Sequence, residues 1–334
     1  MRALLEKLIV RKDLTREEAA RAMGFLMSGQ APEAVIGAFL ATLAAKGETV
    51  DEIVGAAEAM RACATPIRCE TECIDTCGAG GDGISTFNVS TAAAIIAAAA
   101  GATVAKHGNV TNTRVSGSAE VLQALGVNIH CSPAVVERSL SHVRLGFLFA
   151  RTLHPAMQHA AAARRALGVR TIFNLLGPLT NPARVRRQVL GVPRPELTEK
   201  MAEVLRRLGA VRVMVIHGLD GLCDLTVTAE TRVTELHRGA IRTWQLRPED
   251  VDLPRATLEP LMVASPQESA DAIRRVLSGE PGPRRHHALL NAAAALVVAD
   301  LAEDLRHGLQ LAAAAIDDGR GRETLRRLIE VTHA

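Results

Sequence analysis

Residues 73–106 constrain the fold more than any other stretch. They read CIDTCGAGGDGISTFNVSTAAAIIAAAAGATVAK. A short strand over 73–77 runs into a turn with four glycines among residues 78–83. Glycine there lets the backbone take positive φ and approach a ligand closely. Thr86, Asn88, Ser90 and Thr91 follow, and then an alanine-rich helix over 92–100. Strand, glycine turn, hydroxyls and helix start together present backbone N–H groups and a helix dipole to an anion. A second strand over 102–106 delivers Lys106-His107-Gly108-Asn109 and a loop ending Ser116-Gly117-Ser118. Two such loops at the C-terminal ends of neighbouring strands predict one phosphate-binding crevice between them.

Individual side chains in this stretch leave alternatives. Asp82 accepts a hydrogen bond either from a sugar hydroxyl or from its own loop. Ser90 serves a phosphate, a magnesium ion or the helix cap. His107 either faces the ligand or braces the loop.

On either side of this unit the patterning differs. Residues 1–65 read as four helices, over 2–10, 15–27, 32–47 and 49–65. Thr15 and Thr49 are placed to cap the second and fourth, and Pro32 to start the third. From Glu70 strands alternate with helices, which implies a parallel sheet. Helices are expected over 119–125, from 132–133 onward, and over 154–167 and 196–208. Strands are expected over 127–130, 146–150, 188–192 and 211–217. Short strands over 225–227 and 232–236 would form an antiparallel edge. The tail should be helical over 268–277, 287–316 and 323–333. The run FNLLGPLTNP at 173–182 carries two proline turns, Gly177-Pro178 and Asn181-Pro182. His217–Gly218–Leu219–Asp220–Gly221–Leu222–Cys223–Asp224 follows a strand, so Asp220 and Asp224 either hold a divalent cation or form a solvated turn.

Composition narrows the function. A net charge of +3 with no like-charge block, and 2% aromatics, argue against nucleic acid as a partner. The charged N-terminus is not a secretory signal, and no apolar run is long enough to span a bilayer, so a cytoplasmic protein without a membrane partner is expected. Cys69, Cys73 and Cys77 lack paired C-x2-C spacing and read as reduced cysteines of the interior, not as a zinc site.

Taken together, these residues resemble the anthranilate phosphoribosyltransferase family almost end to end. The resemblance rests on Ala38-Phe39-Leu40 and Lys46-Gly47-Glu48-Thr49, on Gly80-Gly81-Asp82-Gly83 with Thr86 to Thr91, on Lys106 to Asn109, on Ser116-Gly117-Ser118, and above all on 173–182. It implies an α/β protein of the nucleoside phosphorylase/phosphoribosyltransferase-like kind. A small all-helical N-terminal domain, 1–66, would be joined by helices from about 154–180. A large α/β domain, 67–334, would carry a mainly parallel central sheet. The substrate site would lie in the cleft between them, in a homodimer built through the helical domain.

The implied reaction transfers the phosphoribosyl group of phosphoribosyl pyrophosphate to anthranilate, in tryptophan biosynthesis. Residue by residue, the resemblance assigns Gly78, Gly81, Asp82, Thr86, Asn88, Ser90, Thr91, Lys106 and Ser118 to the donor, and counts Val89, Gly108 and Arg114 among the substrate-binding residues. Asn109 and Arg164 would contact anthranilate, with His107 beside them. Ser90, Asp224 and, less well, Cys223 would hold Mg2+. No conventional acid/base pair is implied, and Lys106, Asp82 and His107 are the catalytic candidates. The chain departs from the family at Ala79, where a threonine is usual, and at Val110, where an arginine is usual. Arg114 lies in a loop that is elsewhere serine-rich. Cys223-Asp224 stands where an Asp-Glu metal pair is usual, and a thiol is a poor magnesium ligand. These departures leave two alternatives, a phosphoribosyltransferase with another acceptor or a non-enzymatic nucleic-acid-binding relative.

Overall fold

The computed structural model describes residues 1–111 and 114–334. Four helices open the chain: α1 Arg2–Ile9, α2 Arg16–Met27, α3 Glu33–Lys46 and α4 Val50–Cys63. Two of them start on reciprocal capping boxes, Thr15 with Glu18 and Thr49 with Glu52. Glu52 also accepts from Leu14 N–H at 2.9 Å and Lys46 Nζ at 2.9 Å, so this buried carboxylate is fully engaged.

The chain then alternates: β1 Ile74–Gly78, α5 Val89–Ala99, β2 Val104–Gly108, α6 Ser118–Leu125, α7 Pro133–Val143 and β3 Leu145–Phe149. Short α8 Ala150–Leu153 leads to α9 Gln158–Leu167 and α10 Phe173–Leu176. After these come β4 Arg187–Gly191, α11 Leu197–Arg207, β5 Arg212–Gly218, β6 Thr231–His237 and β7 Ala240–Leu246. Four helices close the chain: α12 Pro266–Leu277, α13 Pro283–Val298, α14 Leu305–Asp317 and α15 Arg320–His333.

The strands form one seven-stranded sheet in the order β3-β2-β1-β4-β5-β6-β7. The first five are parallel, and β6 and β7 add an antiparallel edge. All seven residues of β5 are buried, as expected of a strand covered on both faces. One face carries α5, α6 and α12–α15. Alanine-rich α5 packs on alanine-rich α13, and small side chains let the two backbones approach. The other face carries α11, whose Met201, Ala202 and Leu205 join Val213 and Val215 of the sheet to the apolar faces of α1–α4, α9 and α10. The opening helices and the sheet therefore share one continuous apolar layer. Polar contacts reinforce it: Arg61 Nε donates to Leu179 O at 2.6 Å, and Lys200 Nζ to Glu48 O at 3.0 Å.

Strand order reverses at β1, which has β2 on one side and β4 on the other. In such a sheet a ligand crevice is expected outside the C-terminal ends of β1 and β4, where their outgoing connections part. Both phosphate-type loops lie at this end.

Three expectations are corrected. Residues 127–130 form no strand, because Asn128 bonds instead to Thr332 of α15, through its backbone N–H at 3.2 Å and its Nδ2 at 3.1 Å. Residues 225–227 form none either: Asn291 of α13 satisfies both Leu225 N–H, at 3.1 Å, and Leu225 C=O, at 2.8 Å. The expected helix over 287–316 is two helices. The break contains Asp300 at φ +57° and Asp304, whose carboxylate caps α14. The 173–182 run has turns at its two prolines, as expected, and also holds α10 just before the first of them.

Asn291→Ala strips partners from two buried backbone groups, each costing about 1–3 kcal/mol when unmet. The unfolding free energy should fall by at least about 2 kcal/mol, read from urea denaturation.

Candidate active site

The glycine turn takes the shape its residues permit. Gly80, Gly81 and Gly83 have φ of +62°, +88° and +71°. A Cβ on Gly81 would overlap the Arg170 guanidinium, which reaches across to Gly80 O at 3.4 Å. Gly78, at the end of β1, pairs in register with Gly191, at the end of β4. A Cβ on Gly191 would overlap the Cys223 carbonyl, so this glycine lets the 219–224 loop close over the strand ends.

Asn88, not Ser90, caps α5: its Oδ1 accepts from Thr91 N–H at 3.1 Å. Ser90 Oγ is left to donate to Asn88 Oδ1 at 3.2 Å and accept from Lys106 Nζ at 3.1 Å. Lys106 also donates to Thr76 O at 2.6 Å. Lys106 is 1% exposed, and burial lowers its pKa, opposed by Asp75 nearby. Val89 and Thr91 are buried in the first turn of α5, and Thr86 is buried just before it. The Oγ1 atoms of Thr86 and Thr91 have no hydrogen-bond partner.

On the second loop, Gly108 passes close to Phe147 and Ser118, so α6 can begin directly behind it. Asn109 is exposed at the crevice, its Oδ1 turned to Val110 N–H at 2.8 Å. Ser116 is buried with an unpartnered hydroxyl. Asp82 is not held by its own loop, the second partner expected for it. Arg114 grips its carboxylate, with Nε donating to Oδ1 at 2.5 Å, and Cys223 N–H donates to Oδ2 at 3.2 Å.

The two aspartates of the 217–224 loop separate in role. Asp220 is consumed by its own turn, accepting from Thr226 Oγ1 at 2.6 Å, Thr228 Oγ1 and Leu222 N–H. Asp224 Oδ2 is buried with no hydrogen-bond partner. Burial pushes the Cys223 thiol up to about 12, so it stays neutral. That removes it as a candidate ligand for a hard cation. Among the described residues no three His, Cys, Asp or Glu side chains converge on one point. Cys69, Cys73 and Cys77 are free thiols. Cys73 donates a hydrogen bond that holds Cys69 down at about 6, and Gln188 Nε2 lies 2.9 Å from Cys77 Sγ.

The opposite wall comes from 154–181. Gly177 O can only accept, so the 3.1 Å contact from His107 Nδ1 fixes the proton on that nitrogen. His107 Nε2 is then an acceptor for His154 Nε2–H, 3.1 Å away. Burial, and for His107 also the neighbouring His154, push the two imidazoles down to about 3 and about 4, keeping both neutral. Arg164, half-buried on α9, stacks over the Phe173 ring at 4.8 Å. Burial lowers its pKa, and no carboxylate pairs with it among the described residues. Asn181 Nδ2 donates to Asp75 Oδ2 and to Ala105 O, both at 2.8 Å, which ties this wall to β1 and β2.

Sequence reasoning missed His154, Phe173, Gly177 and Arg170 as parts of this site. Phe173 and Gly177 do lie in the 173–182 run that carries the resemblance most strongly, but nothing local marks these roles, nor those of His154 and Arg170. Each acquires its role only from the residue it meets across the cleft.

Residues 2–64 match the helical bundle domain of a glycosyl transferase family, and residues 70–322 match the a/b domain of the same family. An anthranilate phosphoribosyltransferase of Desulfosudis oleivorans is 51% identical over 98% of this chain and 97% of its own. One from Symbiobacterium thermophilum is 49% identical over 100% and 98%. The crystal structure of the Thermus thermophilus enzyme superposes with a TM-score of 0.94 at 42% identity, covering 99% of both chains. The Saccharomyces cerevisiae enzyme in complex with PRPP and Mg superposes at 0.90, with 26% identity over 98% of this chain and 96% of that one.

Lowering the pH should destabilise the fold through the two imidazoles. They ionise near 6.5 when unfolded but at about 3 and about 4 when folded. Their neutral forms thus contribute stability above about pH 6.5 that is lost progressively as pH falls towards 4. Burial raises Asp75 to about 6, which opposes the trend, because it favours the folded state more as pH drops through 6. Melting temperatures across pH 7 to 4 should fall, and His154→Gln, which keeps a donor but gains no proton, should flatten the slope.

Proposed function

This chain belongs to the anthranilate phosphoribosyltransferase family, and we infer that its cleft transfers the phosphoribosyl group of phosphoribosyl pyrophosphate to anthranilate. The observation that carries the inference is Arg164: a half-buried guanidinium, stacked on Phe173 and lacking a carboxylate partner among the described residues. An unpaired buried cation is costly. A planar fork of donors suits a benzoate carboxylate bidentately. By the family resemblance, Asn109 and neutral His107 would flank it there.

The donor's phosphates are assigned to the other wall. The glycine turn at Gly78, Gly81 and Asp82 would meet them, with Thr86, Asn88, Val89, Ser90 and Thr91 at the start of α5. Lys106, Gly108, Arg114 and Ser118 would complete the cradle. Mg2+ fits Asp224, whose Oδ2 is buried without a hydrogen-bond partner; Ser90 is assigned to it by the family resemblance, and its hydroxyl would first have to give up Lys106. Mg2+ does not fit Cys223. Few protein oxygens are needed, because magnesium completes its shell from phosphate and water. When bound, it would offset the charge of the departing pyrophosphate.

The chemistry asks little of an acid or base. The aromatic amine of anthranilate is neutral at pH 7, so its lone pair is available. As the bond from C1 to pyrophosphate breaks, the nitrogen–C1 bond forms, and the amine gives its proton to the released pyrophosphate or to water. The protein's contribution is to hold amine and C1 in line and to stabilise charge. His107, with Nδ1–H committed to Gly177 O, cannot donate from that nitrogen and presents an accepting Nε2 to His154. It braces the acceptor pocket.

The same reading divides the chain into a helical unit, 1–66, joined by helices from about 154–180, and an α/β unit, 67–334. Among the described residues no helix is long and apolar enough to cross a membrane, and a cytoplasmic enzyme is proposed. A homodimer through the helical unit would cover Ile9 and Val10, which are 67% and 62% exposed.

The test is formation of phosphoribosyl anthranilate, followed by loss of anthranilate fluorescence. Arg164→Ala should raise KM for anthranilate by about 10- to 100-fold with little change in KM for phosphoribosyl pyrophosphate. Equal loss for both substrates would overturn the assignment.

A further inference from the structure

Arg114 stands between two carboxylates. Its Nε donates to Asp82 Oδ1 at 2.5 Å, and its Nη2 pairs with Asp82 Oδ2. The same Nη2 lies 3.9 Å from Asp224 Oδ2, which accepts no hydrogen bond. The site is largely withdrawn from water: the Asp82 side chain is 0% exposed, Asp224 10% and Arg114 14%. The two loops are tied a second time where Val115 N–H donates to Ser85 Oγ at 3.2 Å. Two carboxylates this close repel unless a cation lies between them, and here the cation is the protein's own.

A divalent cation seeking Asp224 would meet that guanidinium head-on. Charges of +2 and +1 within a few ångströms, shielded from solvent, repel strongly. Metal binding at Asp224 therefore requires Arg114 to find another partner. The pyrophosphate of the donor is one, since arginine pairs bidentately with phosphate as well as with carboxylate.

We propose that Arg114 is a built-in counter-ion. It holds the Asp82–Asp224 site shut to a divalent cation until phosphoribosyl pyrophosphate arrives, so that metal and donor enter together. The proposal rests on the reading of the cleft given above. On donor binding the guanidinium exchanges Asp82 for pyrophosphate oxygens. That frees Asp82 for a sugar hydroxyl and Asp224 for the metal. The role belongs to this chain's own departures, an arginine at 114 and the Cys223-Asp224 pair in place of two acidic ligands.

The experiment is a Mn2+ titration of purified protein without donor, followed by loss of the free-ion paramagnetic resonance signal. Arg114→Met should bind Mn2+ at least about tenfold more tightly than wild type. Arg114→Lys keeps the charge but loses the fork, and should fall between the two. It carries the test if circular dichroism shows that Arg114→Met has lost its fold. Equal or weaker Mn2+ binding in the folded variants would overturn the counter-ion role. Calorimetry of wild type with phosphoribosyl pyrophosphate and Mg2+ separates the two levels. Donor binding with unchanged metal affinity in the variants sinks the counter-ion alone. Absence of donor binding to wild type sinks the reading of the cleft and the counter-ion with it.

Discussion

The side-chain amide of Asn181 donates two hydrogen bonds, to the Asp75 carboxylate on β1 and to the Ala105 carbonyl on β2. The other oxygen of Asp75 accepts from His107 N–H at 3.1 Å. Asp75 is completely buried, and burial raises its pKa against the pull of Lys106, Asn181 and His107. A buried carboxylate is tolerated only when its oxygens are engaged, so the three segments that engage it are held in one arrangement. With Asn181 in place, Gly177 O reaches His107 and Phe173 lies beneath Arg164. Both walls of the cleft are thereby registered against each other through one charge.

The carboxylates around the crevice show how neighbours set chemistry. Asp220 is tied into its own turn by two threonine hydroxyls and a backbone N–H. Asp82, on the glycine turn, is paired with an arginine from the other loop. Asp224 keeps an oxygen without a hydrogen bond. All three are aspartates in glycine-rich loops, yet only the last has the unsatisfied hard oxygen that a magnesium ion seeks. Cys223 stands next to it and contributes a backbone N–H to Asp82, while its buried thiol remains neutral.

Much of the architecture was legible because it follows from local rules. The capping threonines, Pro32 and the apolar spacing of the first four helices appear where patterning puts them. The strand–glycine–helix–strand unit is also where it was read, within a residue or two at the strands, while α5 starts earlier because Asn88 supplies the cap. The misreadings share a cause. Residues 127–130 and 225–227 have strand-like composition, but side chains from distant helices, Asn291 and Thr332, meet their backbone groups before any neighbouring strand can. Strand β7, with few buried positions, carries little signal in its alternation and was not foreseen.

The order of residues by itself determined the helical opening, the parallel α/β body, the two anion-binding loops and the family. These depend on periodicity, glycine placement and motifs that are contiguous in the chain. Only the tertiary structure decided which side chains face one another: His154 on His107, Arg164 on Phe173, Asn181 on Asp75 and Arg114 between Asp82 and Asp224. Apart from Arg164 and Phe173, these pairings bring together residues 32 to 110 positions apart, through the reversal of strand order at β1 and β4. A partner that distant leaves no mark on the local pattern, because its effect acts through burial and charge once the chain has closed.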